Sequence, residues 1–216
     1  PYNLERDLAP IAFITSSPYL LVAHTSVPAD DLRALIAHAR ANPGKLNYST
    51  SGVGSSAHIL GESLKLMAKI DLTHVPYKGS AEGAAAIASG DVQLSFPSVT
   101  GAMGMLKAGR IKAIGVTSAQ RSALAPGMPA LNESGLPGFV RTGWYGMLGT
   151  AGTPREIISR LNNAIGEIIA KPEVKEMLFK QGLESERMSP EQFGALIKRE
   201  VEQNREVVKA IKLTLN

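Results

Sequence analysis

The stretch LNYSTSGVGSSAHILGESL, residues 46–64, decides how this chain is read. A short β-type run empties into a loop crowded with Gly and Ser, and a helical pattern follows at once. A backbone that turns this sharply leaves several N–H groups pointing outward at a helix N-terminus, where the partial positive charge favours an anion. The candidates are phosphate, a dinucleotide and a carboxylate.

Working outward, the same plan repeats. KLNYST (45–50) reads as a strand, residues 55–69 as a helix with Leu60, Leu64 and Met67 on one face, DLTHVPY (71–77) as a strand, and SAEGAAAIASG (80–90) as a small-residue helix ending at Gly90. DVQLSF (91–96) is strand-like, SVTGAMGMLKAG (98–109) a helix stopped by Gly109, and IKAIGVT (111–117) another strand. Strands alternating with helices of about 10–15 residues imply βαβ units around a largely parallel sheet, so the fold class is α/β.

Ahead of this block lie IAFITS (11–16), YLLVAH (19–24) and a helix over residues 30–41 with Leu32, Leu35 and Ile36 inward. Behind it, GWYGMLGTAGTP (143–154) is an extended, Gly-rich crossing, followed by three helices with no strand read between them. The first is expected to take Thr153 as N-cap, with Pro154 at its first position and Glu156 completing a capping box, and to carry Ile157, Leu161, Ile165 and Ile168 on one stripe. The last opens at Ser189, with Pro190 and Gln192 repeating the arrangement. These helices need a surface other than the middle sheet, and only IAFITS and part of GWYGMLG remain to build one. A two-domain reading therefore leaves one domain short of strands.

With 216 residues and 44% hydrophobic content, the chain can bury a core. No apolar run approaches the roughly 18 residues of a membrane span, so the chain is read as not membrane-embedded. Its start, PYNLERDLAP, lacks a signal-peptide pattern, and a first residue of Pro rather than Met suggests a processed chain or an excised fragment. There is no Cys, which excludes disulfides, thiolate nucleophiles and Cys-based metal sites. The 23 basic residues exceed the 19 acidic ones only slightly and form no block, which argues against a nucleic-acid partner.

Of the three anions, phosphate in a P-loop fails, because after Gly52 and Gly54 no Lys occurs until Lys65. Gly52-x-Gly54-x-x-Ala57 does match a dinucleotide turn, and an NAD(P)-binding Rossmann-type oxidoreductase domain is the alternative reading. The acid that should hold a ribose is misplaced, since Asp71 stands at the start of the second strand and not at its end. The loop VPYKGSAEG also ends a strand and opens a helix, so Tyr77, Lys78, Gly79 and Ser80 should share a sheet edge with residues 51–56; FPSVTG adds Ser98 and Thr100. Three successive strand ends thus present hydroxyls, N–H groups and one cation with no acid among them, which is a receptor for a small anion.

YSTSGVGSSAH, THVPYKGSAEG and GWYGMLGTAGTP resemble, in order and spacing, the periplasmic solute receptors of tripartite tricarboxylate transporters, the TctC or Bug family. The likeness extends to SPYLLVAHTSVPA, LKAGRIKAIGVTSAQRS and LNESGLPGF, and so along essentially the whole chain. It implies a type II periplasmic-binding-protein-like fold, a Venus flytrap of two lobes joined by crossing strands near residues 19–23 and 144–149. Residues 1–22 would then be a remnant of lobe 1 with the first crossing strand, 23–143 lobe 2, and 144–216 the second crossing strand with C-terminal helices packing on lobe 1. The resemblance further implies periplasmic capture of a small organic carboxylate and its delivery to membrane permease subunits, without cofactor, metal or catalysis. It places Ser51, Gly52, Gly54, Ser55 and His58 on one ligand loop and Tyr77, Lys78, Gly79 and Ser80 on a second.

Two departures qualify it. Family members normally carry roughly 70–100 further residues ahead of PYNLERDLAP, so lobe 1 is expected to be incomplete at its N-terminus, below ordinary domain size, and open to association through exposed lobe 1 surface. At Pro97-Ser98 many relatives carry Asp or Asn after the Phe, and a Ser there offers no charge to a ligand ammonium group; a carboxylate without an amino group is expected. Among single residues, His58 is as suited to capping and packing as to donating to a carboxylate, and the Lys78 side chain is expected in solvent. Ser55 and His58 are three apart on a helix, but no G-x-S-x-G elbow or orienting acid accompanies them.

Overall fold

The computed structural model describes residues 3–213. The chain divides into two compact units: the described residues up to Ser17 with Gly143–Glu206, and Pro18–Thr142 with the described residues from Val207.

The second unit holds β2 (Leu20–His24), α2 (Leu32–Ala41), β3 (Asn47–Thr50), α3 (Ser56–Ala68), β4 (Thr73–Pro76), α4 (Ser80–Ser89), β5 (Leu94–Ser95), α5 (Val99–Lys107) and β6 (Ile111–Val116), numbered after α1 (Leu4–Asp7) and β1 (Leu8–Pro18). Its sheet has the order β4-β3-β5-β2-β6. β3 pairs parallel with β4 and with β5. The largely parallel sheet expected from the βα alternation is interrupted by β2, which runs antiparallel to both β5 and β6. The reason is connectivity: only Tyr19 separates β2 from the preceding strand, so no crossover helix forces it into the common direction. Residues 20–23, assigned to a crossing strand by sequence, lie inside this sheet, and the chain enters the unit at Pro18.

Alternation along β2 shows how the sheet is covered. Leu21 and Ala23 join Leu32, Leu35, Tyr48, Leu60 and Leu64 on one face; Leu20 and Val22 join Ile87, Val99, Ala102 and Val116 on the other. Leu20 to Ala23 are fully buried because helices lie on both faces. On the first face, α3 comes so close to β3 that a Cβ at Gly61 would overlap the Tyr48 ring. The Tyr48 hydroxyl donates to Glu62 Oε1 at 2.7 Å, and Lys65 Nζ pairs with the same oxygen at 2.9 Å.

In the first unit, α1 (Leu4–Asp7) leads into β1 (Leu8–Pro18), and β7 (Thr142–Thr150) leads to α6 (Arg155–Ala170), α7 (Pro172–Lys180), β8 (Glu184–Ser185) and α8 (Pro190–Ala210). The sheet order is β7-β1-β8, with β8 antiparallel to β1. β8 was not read from the sequence; two residues in the charged run LESER carry no strand pattern. Phe193 of α8 is fully buried and meets Trp144 edge-on at 5.1 Å and Phe13 at 5.9 Å. The buried Asn162 amide of α6 donates to the Ile11 and Met188 carbonyls at 2.8 and 3.0 Å. Among the described residues no helix is long and apolar enough to cross a membrane.

The two helix starts read from sequence behave differently. At α8 the capping box forms, with Gln192 N–H donating to Ser189 Oγ and Ser189 N–H to Gln192 Oε1. At α6 it does not: the Thr153 hydroxyl donates back to the Thr150 carbonyl at 2.7 Å, and Pro154 takes the cap position with no side-chain bond. The apolar stripe read along α6 is present and stands outward. Asn162, Gly166 and Ile169 are buried, while Ile157, Leu161 and Ile168 are exposed. The Asn162 amide bridges the buried Ile11 carbonyl and the half-buried Met188 carbonyl on this inner face, where an unpaired acceptor costs about 1–3 kcal/mol.

Gly61→Ala is expected to destabilise the protein by about 1–3 kcal/mol through overpacking on Tyr48. Gly104→Ala, in α5 where an added methyl meets nothing within 4 Å, is expected to stabilise by about 0.5–1 kcal/mol. Urea titration of the two variants beside the parent chain measures both.

Candidate functional site

The loops after β3, β4 and β5 finish at one edge of the second unit's sheet, because these strands are parallel. A cavity of about 290 Å³ opens there, lined from β3 and its loop by Ser49, Thr50 and Ser51, from α3 by Ser56 and Ala57, and from α4 by Ser80 and Gly83. Ser95 and Ser98 line it from the third strand end, and Ile87, Phe96 and Met105 add apolar wall. None of the described residues lining it is charged.

Three helices start at this cavity. Ser55 caps α3 by accepting the His58 N–H, and Ser98 caps α5 by accepting the Gly101 N–H. α4 starts at Gly79 with no side-chain cap at all. A single cap satisfies one of the orphan amides of a first turn, so Ser56 and Ala57 of α3, and Ser80 of α4, present N–H groups with no intrahelical acceptor. Their partial positive charges converge on a space without a countercharge, which is a place for an anion.

The turn between β3 and α3 has a glycine requirement at two positions. Gly52 and Gly54 have φ of +123° and +80°, a region that side chains avoid. The turn is held from inside: Gly52 N–H donates to Thr50 Oγ1 at 3.2 Å, Ser55 Oγ donates to the Gly52 carbonyl at 2.8 Å, and Gly54 N–H donates to His58 Nδ1 at 3.1 Å.

Of the residues singled out by sequence, Ser51, Ser80 and Ser98 line the cavity. Gly52, Gly54 and Ser55 shape the turn beside it. His58 is buried at 5% exposure, with Nδ1 engaged by Gly54 and its ring stacked on His74, so it is a support of the turn and does not line the cavity. Ser55 Oγ bonds the His58 main chain and not its ring, so the two form no nucleophile and base pair. Tyr77 packs against the cluster containing Ile87 and donates its N–H to the Thr50 carbonyl. Lys78 is exposed, its N–H bonded to Glu82 Oε2 at 3.1 Å. Gly79 is the N-cap of α4, outside the lining.

Sequence reading missed Tyr19, Ser49 and Ser95. Ser49 Oγ donates to the Gly83 carbonyl and lies 3.0 Å from Ser95 Oγ, its register partner across β3 and β5. The available signal was a hydroxyl run in strand interiors, Ser49-Thr50-Ser51 and Ser95, where apolar residues are the norm. Tyr19, just ahead of the strand that breaks the parallel pattern, bridges to Ser98, and nothing in the sequence places it there.

The family model described as the tripartite tricarboxylate transporter family receptor, TctC, matches residues 1–213. The chain is 36% identical over 221 residues to the UPF0065 protein in the tcbD-tcbE intergenic region of Pseudomonas sp. strain P51, covering all of this chain and 65% of that protein. Among solved structures it is similar to R. palustris Rpa4515 with adipate (31% identity, 96% of this chain, 70% of that one, TM-score 0.79). It is also similar to MatC from Rhodopseudomonas palustris with bound malate (28% identity, 96% of this chain, 71% of that one, TM-score 0.76). The chain thus spans just under two thirds of the length of that Pseudomonas relative. The dinucleotide alternative finds no support among these relatives. A family match over nearly the whole chain, with the α/β fold of solute-binding proteins, shows that the chain belongs to the TctC family of tripartite tricarboxylate transporter receptors.

Proposed function

We propose that the chain is a solute-binding receptor that captures a small organic carboxylate in the periplasm for the permease subunits of a tripartite tricarboxylate-type transporter. The observation that carries this reading is the convergence of three helix N-termini on one uncharged, hydroxyl-lined cavity. Main-chain dipoles and hydroxyls solvate carboxylate oxygens without forming or breaking bonds, which suits capture and release. Ser51, Ser80 and Ser98 are the direct contacts in this reading, and Gly52, Gly54, Ser55 and His58 hold the turn that presents the amides. That relatives were solved with adipate and malate supports the same ligand class.

The cavity lining contains no carboxylate to meet an ammonium group. An amino acid would therefore bring an unpaired cation into it, which is costly unless the group stays in water. Ser98 is the position from which an acid would change this, being both a lining residue and the α5 cap.

In calorimetry, adipate or malate is expected to bind at least about tenfold more tightly than glutamate or aspartate. Tighter binding of the amino acids would overturn the preference, and absence of binding by every small carboxylate tried would overturn the function. Ser98→Asp keeps a good N-cap, so thermal stability should hold. Affinity for the same dicarboxylates should drop about tenfold or more, because a fixed negative charge then faces the bound one.

A further inference from the structure

Beside the first turn of the cavity lies a cluster of polar side chains that simple anion binding does not require. His58 of α3 and His74 of β4 stack with ring centroids 4.1 Å apart and planes 21° from parallel, and Tyr48 stacks on His74 at 5.1 Å. His58 Nδ1 accepts the Gly54 N–H, so the proton of the neutral ring sits on Nε2. His74 Nε2 lies 2.7 Å from Thr50 Oγ1, the atom that accepts the Gly52 N–H. Both glycine amides of the turn therefore end on the stacked pair, one directly and one through a threonine hydroxyl.

We propose that His58 and His74 are positioning residues of the carboxylate site: as a neutral stacked pair they hold the Gly52 and Gly54 amides in place, and adding a proton to the pair releases the turn and weakens anion binding. This rests on the carboxylate reading of the cavity for its binding consequence, while the release of the turn stands on the hydrogen bonds alone. A protonated His58 carries N–H on both nitrogens and has no lone pair left for Gly54. Two imidazolium rings stacked at this separation would also repel, so the pair titrates as a unit.

The titratable groups facing the pair are Tyr48 of β3 and Glu62 and Lys65 of α3, and Glu62 is already engaged by the Tyr48 hydroxyl and Lys65 Nζ. Burial pushes the His58 pKa down, opposed by Glu62 and assisted by Lys65. For His74 burial again dominates, followed by the charge on His58, and its pKa falls to about 4. Since burial holds both rings below the pKa of an unfolded histidine, the unfolded chain binds more protons as pH falls below that of the free side chain. Stability from these groups is complete above about pH 6.5 and is lost as pH falls toward the His74 value.

The test follows the Gly52 and Gly54 amide signals and the two histidine ring signals by NMR on the chain from about pH 7.5 down to about pH 4.5. The amides are expected to shift together with the rings, and their exchange with solvent to quicken. In parallel, adipate affinity is measured over the same range for the parent chain and for H58N/H74Q, whose amide oxygens can replace Nδ1 and Nε2 without titrating. The parent chain should lose about tenfold more affinity on acidification than the double variant, so that protonation of adipate itself cancels in the comparison. Superimposable pH profiles, or glycine amides that stay fixed while the rings titrate, would overturn the proposal. If adipate binds at no pH, the carboxylate reading fails for that probe and the amide titration alone decides the positioning role. If the double variant does not fold, the parent chain's NMR titration decides it.

Discussion

A strand that runs parallel to its neighbour must be reached by a crossover, and in the second unit each such crossover is a helix beginning where the previous strand ends. This constraint brings the starts of α3, α4 and α5 to one edge, since β3, β4 and β5 share a direction. Everything in the candidate site follows from it. The amides that no helix can satisfy internally collect in one place, the side chains that cap α3 and α5 are small hydroxyls while α4 has none, and a charged side chain is unnecessary for attracting a negative guest.

The βα alternation and the turn that opens α3 were legible because each depends on local pattern: period, glycine at positive φ, a hydroxyl before a helix. The capping box of α8 was legible for the same reason. What escaped depended on distant partners. The stripe Ile157, Leu161 and Ile168 was read from its helical spacing, but the burial of Asn162 was not, because its partners, the Ile11 and Met188 carbonyls, are distant in sequence. The direction of β2 is set by which chain segment feeds it, and no composition signal records that. Of the residues lining the cavity, serines at strand ends could be read, but His58 could not be placed, because its stacking neighbour His74 is brought beside it only by the folded β3–β4 pair.

The same region shows how a buried charge is tolerated. Glu62 is only 6% exposed, and its carboxylate is held by the Tyr48 hydroxyl and Lys65. The hydroxyl proton of Tyr48 is correspondingly hard to remove, its pKa being pushed up by burial first and by Glu62 second. Such a group contributes little net stability but resists rearrangement, because breaking either contact strands an ion in an apolar setting. Tyr48 can occupy this place only because α3 offers a glycine to its ring.

The outward stripe of α6 has a consequence for how the chain behaves in water. Together with Tyr145 of β7 and Phe179 of α7, it leaves a run of hydrocarbon exposed among the described residues of the first unit, where Phe13, Phe193 and Ile197 form a small enclosed cluster. Wetted hydrocarbon adds nothing to cohesion. Breathing motions, proteolytic nicking and capture by greasy dyes or resins should therefore begin in the first unit, while the sandwich of helices around Leu21 and Leu64 stays shut.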